Sequence, residues 1–163
     1  YIEREDFLEE KPNKKWKRLS LGLEVRLRHA YFIKCEEIIR DNEGNIIELR
    51  CTYDVETKSG SGFSERKPNG TIHWVDATAV KAEFRLYDVL LLDNGKEEYA
   101  DRMNPDSLKV INGLIESSLK DVNKYDQFQF IRNGFFNVDV DSNIEEGLYI
   151  FNRIVPLKSA FRK

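Results

Sequence analysis

The sequence predicts an all-β protein, and three observations lead to that prediction. Apolar and polar residues alternate with a period of two in several segments, the first of them at Leu19–Leu27. These segments are short and are separated by Asn, Gly and Asp residues that favour turns. No segment has the apolar period of an amphipathic helix of normal length. About eight to ten short strands of this kind are typical of small β-barrels.

The size and composition are those of a globular chain. The 163 residues are 40% hydrophobic, 34% charged and 12% aromatic, and a chain of this length buries roughly 70% of its unfolded surface. One ordinary domain or two small ones therefore fit. The longest apolar run, Val89–Leu92, is far shorter than the ~20 residues that cross a bilayer. We expect neither a membrane segment nor a secretory leader.

The first predicted strand, Leu19–Leu27, carries polar residues on one face. Its apolar positions alternate with them, so Glu24, Arg26 and Arg28 project from the same side. At a rise of ~3.3 Å per residue, the two arginines lie roughly 7 Å apart. The sequence therefore predicts a pair of neighbouring cations on this strand.

A β-hairpin is predicted next, from Ala30–Ile39 and Ile46–Tyr53 on either side of turn-forming residues. A symmetric hairpin centred on Glu43 places Cys35 opposite Cys51. With only two cysteines and no Cys-x-x-Cys, the chain is neither a disulfide scaffold nor a Cys-rich zinc protein. We expect two reduced thiols in a cytoplasmic protein.

The rest of the chain adds a loop, further strands and a boundary. Residues 54–69 read as a long loop, and 96–106 as the boundary between two subdomains. Asn104–Ser107 is expected to start a helical turn with Asn104 or Asp106 as its cap. The remaining strand candidates alternate and end at turn residues: Gly70–Val75, Ala82–Leu90, Leu108–Ile111, Gln127–Arg132, Phe135–Val140 and Leu148–Leu157. The predicted organisation is an acidic lead-in over 1–13, one barrel over 14–95 and a second over 96–163.

Charge is distributed unevenly. The formal net charge is −3, but residues 1–10 carry −4, residues 11–28 carry +6 and the remainder −5. A basic stretch is most often a solvated surface. Here Trp16 lies between Lys15 and Lys17, and a local positive field with an interleaved aromatic ring also suits nucleic acid.

The sequence lacks the residue patterns that most catalytic and ligand-binding sites require. His29 and His73 have no acidic or Cys companion at metal-ligand spacing, and the Gly-x-Gly at residues 60–62 is not placed between a strand and a helix. No Gly-x-Ser-x-Gly elbow occurs. The carboxylates Asp139 and Asp141 are expected in a solvent-facing turn. The chain by itself shows no catalytic site and no metal site.

Single-stranded RNA binding is better supported. It needs cations for phosphates, flat groups for stacking, and amide or guanidinium groups for base edges. Two clusters offer these groups: Trp16, Lys17, Arg18, Arg26 and Arg28, and the segment Phe128–Arg132. Strict alternation in the second cluster would place Gln129 and Arg132 on opposite faces of a strand.

Eight motifs occur in one order from the first residues to the last. They are Lys17–Lys34 (KRLSLGLEVRLRHAYFIK), Cys51–Asp54, Lys67–Gly70, Gly70–Val75, Arg85–Asp88, Asn104–Leu108, Phe128–Phe130 and Phe151–Arg153. Together they closely resemble the C-terminal anticodon-binding region of glutaminyl-tRNA synthetases, which are class I aminoacyl-tRNA synthetases. The catalytic signature motifs of that class are not present, so we expect the chain to be a piece of a longer enzyme.

The resemblance implies two β-barrels of the ribosomal protein L25 type, one of them incomplete because the sequence begins at Tyr1 without Met. It implies binding of the anticodon loop of the glutamine tRNA, on which residues of both barrels converge. The implied RNA-binding residues are Lys15, Lys17, Arg18, Arg26, Arg28, Gln129 and Arg132. It also implies a monomeric, cytoplasmic parent that joins glutamine to tRNA with ATP and Mg²⁺, both bound by the absent catalytic domain.

Three alternatives remain open at this stage. A glutamyl-tRNA synthetase of archaeal or eukaryotic type has related C-terminal barrels. A stand-alone ribosomal RNA-binding protein of L25 type would share the architecture. A small-molecule hydrolase in a β-barrel would need a catalytic constellation that the sequence does not show.

Overall fold

A computed structural model describes residues 1–157, which form two compact units, Tyr1–Trp74 and a second unit that begins at Val75. Both units consist mainly of β-strands, so the predicted all-β class is confirmed. The boundary lies earlier than the predicted one at residues 95 and 96. The reason is that strand Val80–Tyr87 pairs with strands of the second unit. Residues 158–163, the end of the predicted second barrel, lie outside the described part.

The first unit contains a four-stranded sheet made of β1 (Glu24–Leu27), β2 (Phe32–Arg40), β3 (Ile46–Asp54) and β4 (Thr71–Ile72). Their order in the sheet is β3-β2-β1-β4. The β1–β2 and β2–β3 pairs are antiparallel, and β1 pairs with β4 in parallel. The chain therefore returns to β1 through the segment predicted as a long loop.

The β2–β3 hairpin has the predicted register. Cys35 pairs with Cys51, as the symmetry about Glu43 requires. The register shifts once between Cys35 and Glu37 and shifts back between Ile39 and Arg40. Such irregularities twist a strand locally, and because the two shifts compensate, the centre of the hairpin stays at the predicted turn.

The predicted strand Leu19–Leu27 is only partly correct. The regular strand begins at Glu24, because Gly22 has a φ of 72° and the Leu23 N–H donates to the Ser20 carbonyl, which forms a turn. Leu19 and Leu21 form isolated bridges to Phe7 and Cys35. Leu19 and Ser20 are both buried and Leu21 is exposed, so the predicted period of two does not hold before β1.

The first unit has a small apolar core to which the acidic N-terminal segment contributes. The buried members are Phe7, Leu19, Val25, Cys35 and Ile72. The sequence placed residues 1–13 outside the first barrel as a lead-in. Phe7 is buried against the core instead, so this segment forms part of the first unit.

The second unit contains a five-stranded sheet of β5 (Val80–Tyr87), β6 (Leu108–Ile115), β7 (Gln127–Phe130), β8 (Gly134–Val138) and β9 (Ile150–Val155). The order is β6-β5-β9-β8-β7. All pairs are antiparallel except β5–β9, which is parallel. Strand β9 therefore occupies the centre of the sheet.

An aromatic cluster fills the core of the second unit. Phe151 is fully buried and stacks on Phe84 at 5.6 Å between ring centroids. Phe130 meets Phe151 and Phe136 edge-on, at 5.3 and 5.1 Å. Offset-stacked and edge-on pairs are the favourable arrangements of aromatic rings. The alternating aromatic residues of β5, β7, β8 and β9 thus share one face.

The pairing is that of two open sheets. Among the described residues, β3 and β4 form the edges of the first sheet and β6 and β7 those of the second, so no closed barrel of the expected L25 type is present. The longest helix in residues 1–157 is a single turn, Tyr99–Arg102. At Asn104, where a helical turn was predicted, the side chain instead accepts from the Asp106 N–H in an Asx turn. In residues 1–157 no helix is long and apolar enough to span a membrane.

Candidate nucleic-acid interface

The basic segment Lys11–Arg18 has no strand or helix and is shaped by local hydrogen bonds. The Asn13 side chain accepts from the Lys15 N–H at 2.9 Å, and the Asn13 carbonyl accepts from the Trp16 N–H at 3.2 Å. These bonds form a tight turn that leaves Lys15 and Lys17 exposed. Within residues 1–157, neither lysine side chain forms an ion pair, so both ammonium groups are available to a phosphate.

Arg18 is held in one orientation by the acidic N-terminal segment. Its Nε lies 3.3 Å from the Oδ1 atom of Asp6, whose side chain is 0% exposed, and its Nη1 donates to the Glu5 carbonyl at 2.7 Å. The guanidinium carbon lies 5.6 Å from the centroid of the Trp16 ring. A cation near an aromatic face gains electrostatic attraction. The arrangement holds the planar Arg18 guanidinium in one orientation.

Arg26 has a different environment and a partly structural role. Its Nη1 donates to the carbonyls of Ala30 and Thr57, at 3.0 and 2.8 Å, and to the Ser59 hydroxyl at 3.0 Å. Its guanidinium lies 4.2 Å from the Phe32 ring centroid. Nη1 is thus occupied within the fold, and RNA binding by Arg26 stays a prediction that depends on its Nε and Nη2 donors.

Arg28 follows β1 and has an exposed side chain. Its backbone is fixed from both sides, since its N–H donates to Ile72 and its carbonyl accepts from the Trp74 indole N–H, both at 3.0 Å. The side chain forms no ion pair with any residue from 1 to 157. A fixed backbone with an unpaired cation suits phosphate binding.

The second unit places Gln129 on the exposed face of β7. The strand alternates, with Gln127 and Gln129 exposed and Phe128 and Phe130 turned into the core. Because β7 is an edge strand, the amide of Gln129 is accessible and can both donate and accept hydrogen bonds. The structure thus supplies the type of group that reads a uracil edge.

Arg132 does not belong to β7, and the predicted alternation does not apply to it. The strand ends at Phe130, and the Asn133 N–H donates back to the Phe130 carbonyl at 2.9 Å to form a turn. Arg132 lies in this turn with a φ of 78° and is exposed. The predicted strand Gln127–Arg132 is therefore two residues too long, and strict alternation, which would place Gln129 and Arg132 on opposite faces, does not extend to Arg132.

Residues that hold the site were not found from the sequence. The sequence places Asp6 in the acidic lead-in. It places Thr57 and Ser59, which accept hydrogen bonds from Arg26, in the long loop of residues 54–69. The signal for Asp6 was weak, since a buried acid among five acids in ten residues has no distinct pattern. These contacts join segments far apart in the chain, which a local pattern does not reveal.

The loop of residues 54–69 is fixed by Arg66. Its guanidinium donates two hydrogen bonds to Glu24, at 2.9 and 2.8 Å, and a third to Asp54 at 2.6 Å. Hydrogen bonding to Arg66 lowers the pKa of Asp54, and the two carboxylates raise the pKa of Arg66. The Arg66 guanidinium also lies 5.1 Å from the Phe63 ring centroid. This network closes the loop over the polar face of β1.

Comparison with known proteins identifies the group to which these domains belong. Two family models, both described as tRNA synthetases class I (E and Q), anti-codon binding domain, match residues 1–54 and 71–139. The chain belongs to this family of anticodon-binding domains. The resemblance inferred from the eight motifs is thereby confirmed. The two matches fall mainly in the first and the second unit, so both units carry the family's features.

The relatives of this anticodon-binding chain are named glutamine–tRNA ligases. The chain is 52% identical to that of Clostridium perfringens and 50% identical to that of Clostridioides difficile, over 99% of its length in both cases. It is 47% identical to the enzyme of Vibrio vulnificus over its whole length. It spans only 30% of the length of each of these proteins. The similarity therefore concerns one part of a larger ligase.

Proposed function

We propose that this chain recognises the anticodon loop of the glutamine tRNA for a parent glutamine–tRNA ligase. The observation that carries the proposal is the ordered basic segment of the first unit, in an anticodon-binding domain whose relatives are glutamine–tRNA ligases. This segment presents exposed lysines beside an oriented Arg18 and the Trp16 ring. These are the groups that single-stranded RNA requires.

The site residues of the first unit have different roles under this proposal. Lys15, Lys17 and Arg28 bind phosphates, because their cations are exposed and form no ion pairs within the described residues. Arg18 forks onto a base edge from its fixed orientation.

In the second unit, Gln129 reads the central uracil of the glutamine anticodons, and Arg132 contacts a neighbouring nucleotide. Arg26 contributes mainly by fixing the loop that follows β3, through the bonds of its Nη1. The assignment of Gln129 and Arg132 follows the family resemblance, and the exposure of both residues supports it.

The chemistry of ligation belongs to the parent beyond this chain. We propose that the parent joins glutamine to the tRNA with ATP and Mg²⁺, acts in the cytoplasm and is a monomer. Among the residues described, no group of three His, Cys, Asp or Glu side chains could hold a metal ion. The contribution we propose for this chain is recognition of the tRNA.

Charging assays of the full-length parent test the function. We expect glutamine, and not glutamate, to be attached to purified glutamine tRNA in an ATP-dependent reaction. Because the matching family models cover both E and Q synthetases, charging of glutamate onto its tRNA would replace the proposal by the glutamyl alternative. No charging of either tRNA, with ribosomal RNA bound instead, would favour a ribosomal RNA-binding protein.

The reading role of Gln129 has a matched control in the same strand. Gln127 and Gln129 are both exposed on β7, but only Gln129 corresponds to a family base-reading position. We expect Gln129→Ala to lower kcat/KM for the tRNA by about 10- to 100-fold, in line with the roughly 1–3 kcal/mol of a base contact. We expect Gln127→Ala to change it by less than about threefold. Equal effects of the two substitutions would refute the assignment.

A further inference from the structure

Asn69 connects the end of the long loop to the basic segment. Its side-chain amide donates to the carbonyls of Trp16 and Arg18, at 3.1 and 2.9 Å. The two bonds lie on either side of Lys17. Its Oδ1 accepts from the Lys11 ammonium at 2.8 Å. One half-buried side chain thus uses both donors and its acceptor on a segment that lies more than 50 residues earlier in the chain.

Gly70 leaves room for the same segment. A Cβ atom at this position would lie 1.8 Å from the carbonyl oxygen of Lys17 and 2.7 Å from its carbonyl carbon. Real Cβ atoms do not approach backbone so closely, so any other residue would displace Lys17 or Gly70. Glycine is required at position 70 because the backbones of Gly70 and Lys17 approach closely, and glycine is the residue that permits such an approach.

The Asn69–Gly70 pair is itself fixed to β1. The Asn69 N–H donates to the Glu24 carbonyl at 2.8 Å, and the Gly70 carbonyl accepts from the Arg26 N–H at 2.9 Å. The pair therefore joins the basic segment to the strand that carries Arg26. Because the basic segment has no strand pairing of its own between Lys11 and Arg18, these contacts take the place of a ladder.

We propose that Asn69 and Gly70 are positioning residues that hold Lys17 and Arg18 ready for RNA. The inference rests on the proposed function and adds two residues that contact the backbone of the binding segment and need not contact RNA. A segment fixed before binding loses less conformational entropy when the complex forms. The expected consequence of loosening it is weaker tRNA binding without a change in the chemical step.

Two substitutions of Asn69 in the full-length parent test the proposal. Asn69→Ala removes all three hydrogen bonds. Asn69→Asp keeps the size and the acceptor for Lys11 but removes both donors to the carbonyls. We expect both to raise KM for glutamine tRNA about tenfold with kcat unchanged, and to reduce the salt dependence of tRNA binding by about one phosphate contact. We also expect faster amide hydrogen exchange confined to the basic segment.

Controls separate positioning from general damage. Asn45→Ala removes an exposed asparagine whose side chain donates to Asp41 in the turn between β2 and β3, and should leave KM and kcat as in the wild type. Gly70→Ala should raise KM more than Asn69→Ala. The thermal midpoint of each Asn69 variant should remain within a few degrees of the wild type, and Asn69→Asp serves as the test if Asn69→Ala does not fold.

Two further results have different meanings. If the wild-type parent binds no glutamine tRNA, the proposed function fails. If the wild type binds and the two Asn69 variants keep a KM within twofold, or lose kcat as much as they raise KM, the positioning role is refuted while the function stands.

Discussion

Arg18 and Arg26 show how identical side chains acquire different roles from their neighbours. Both lie in the basic stretch, and the sequence predicts RNA binding for both. A buried carboxylate orients Arg18 from one side, whereas three oxygens and the Phe32 ring engage Arg26. Guanidinium groups favour such multidentate sites because their donors are fixed in a plane. The sequence predicts that both arginines are cationic RNA-binding residues. It does not predict the oxygens around each guanidinium, because these belong to distant segments of the chain.

The Cys35–Cys51 pair supports a prediction at the same scale. The Cys35 carbonyl accepts from the Gly22 N–H, so the backbone groups of Cys35 point away from β3. The two cysteines are then a non-hydrogen-bonded pair, with Cα atoms about 4.5 Å apart, which a disulfide can span. Although Cys51 is exposed, partial desolvation and then the charge of Cys35 raise its pKa to about 12, and burial raises the pKa of Cys35.

We expect a diazene oxidant such as diamide to form an intramolecular disulfide, in which two thiol hydrogens pass to the oxidant. Because both thiols are protonated at neutral pH and the thiolate is the nucleophile, the rate should rise steadily between about pH 7 and 9.5. Mass spectrometry would show the loss of two hydrogens in one chain, and Cys51→Ser would abolish it. Disulfide-linked dimers as the main product would contradict the inferred pairing.

At the scale of elements, the hairpin was predictable and the strand before it was not. Turn residues and two alternating runs define the β2–β3 register locally. The length of β1 depends on Gly22, whose left-handed backbone begins a turn that the alternation of leucines conceals. The end of β7 was equally unpredictable, because Arg132 adopts a positive φ, which is uncommon for a residue other than glycine.

Asp139 also differs from its prediction, since it is only 7% exposed. Its carboxylate accepts from the Asp141 N–H at 2.7 Å and from the Asn152 amide, and Arg85 lies 3.4 Å away. Burial acts to raise the pKa of Asp139, but these hydrogen bonds and the Arg85 charge outweigh it and lower the pKa. The ionised Asp139 carboxylate, which follows β8, thus contacts both Asn152 of β9 and Arg85 of β5.

A lowered pKa predicts acid sensitivity of the second unit. The stabilisation by ionised Asp139 is complete above the ordinary Asp pKa of about 3.9 and is lost as the pH falls through the lower pKa of the folded state. We expect the difference in thermal midpoint between wild type and Asp139→Asn to shrink as the pH falls from about 5 to 2.5. Calorimetry in a pH series measures it, with exposed Asp93→Asn as control. A constant difference would contradict the assignment.

At the scale of the whole molecule, the described part of the chain has two apolar cores with no residue in common. Both tryptophans, Trp16 and Trp74, belong to the first unit, whereas the large aromatic cluster belongs to the second. Tryptophan fluorescence therefore reports the first unit alone, and far-UV circular dichroism reports both. The sequence indicated two domains but misplaced the boundary, because the pairing partners of β5 come later in the chain.

Phe151→Ala should separate the two cores. Removing this buried ring leaves a cavity beside Phe84 and Phe130, and such substitutions cost about 3–5 kcal/mol of unfolding free energy. In urea we expect circular dichroism to gain an early transition, while the fluorescence midpoint stays as in the wild type. Exposed Phe135→Ala serves as a control with a smaller shift. Coincident shifts of both probes would show that the units unfold together.

The central place of β9 has a consequence for synthesis on the ribosome. Strands β5 and β6 form one hairpin pair and β7 and β8 another, but β9 must enter between β5 and β8 to join them. Glu83 pairs with Ile150 in that parallel pair, so the five-stranded sheet is complete only after β9 has been translated. Until then the unpaired sides of β5 and β8 are exposed in addition to the outer edges β6 and β7, and unpaired strand edges favour aggregation. The first unit ends its sheet with the edge strand β4 and can fold while the second is still being made.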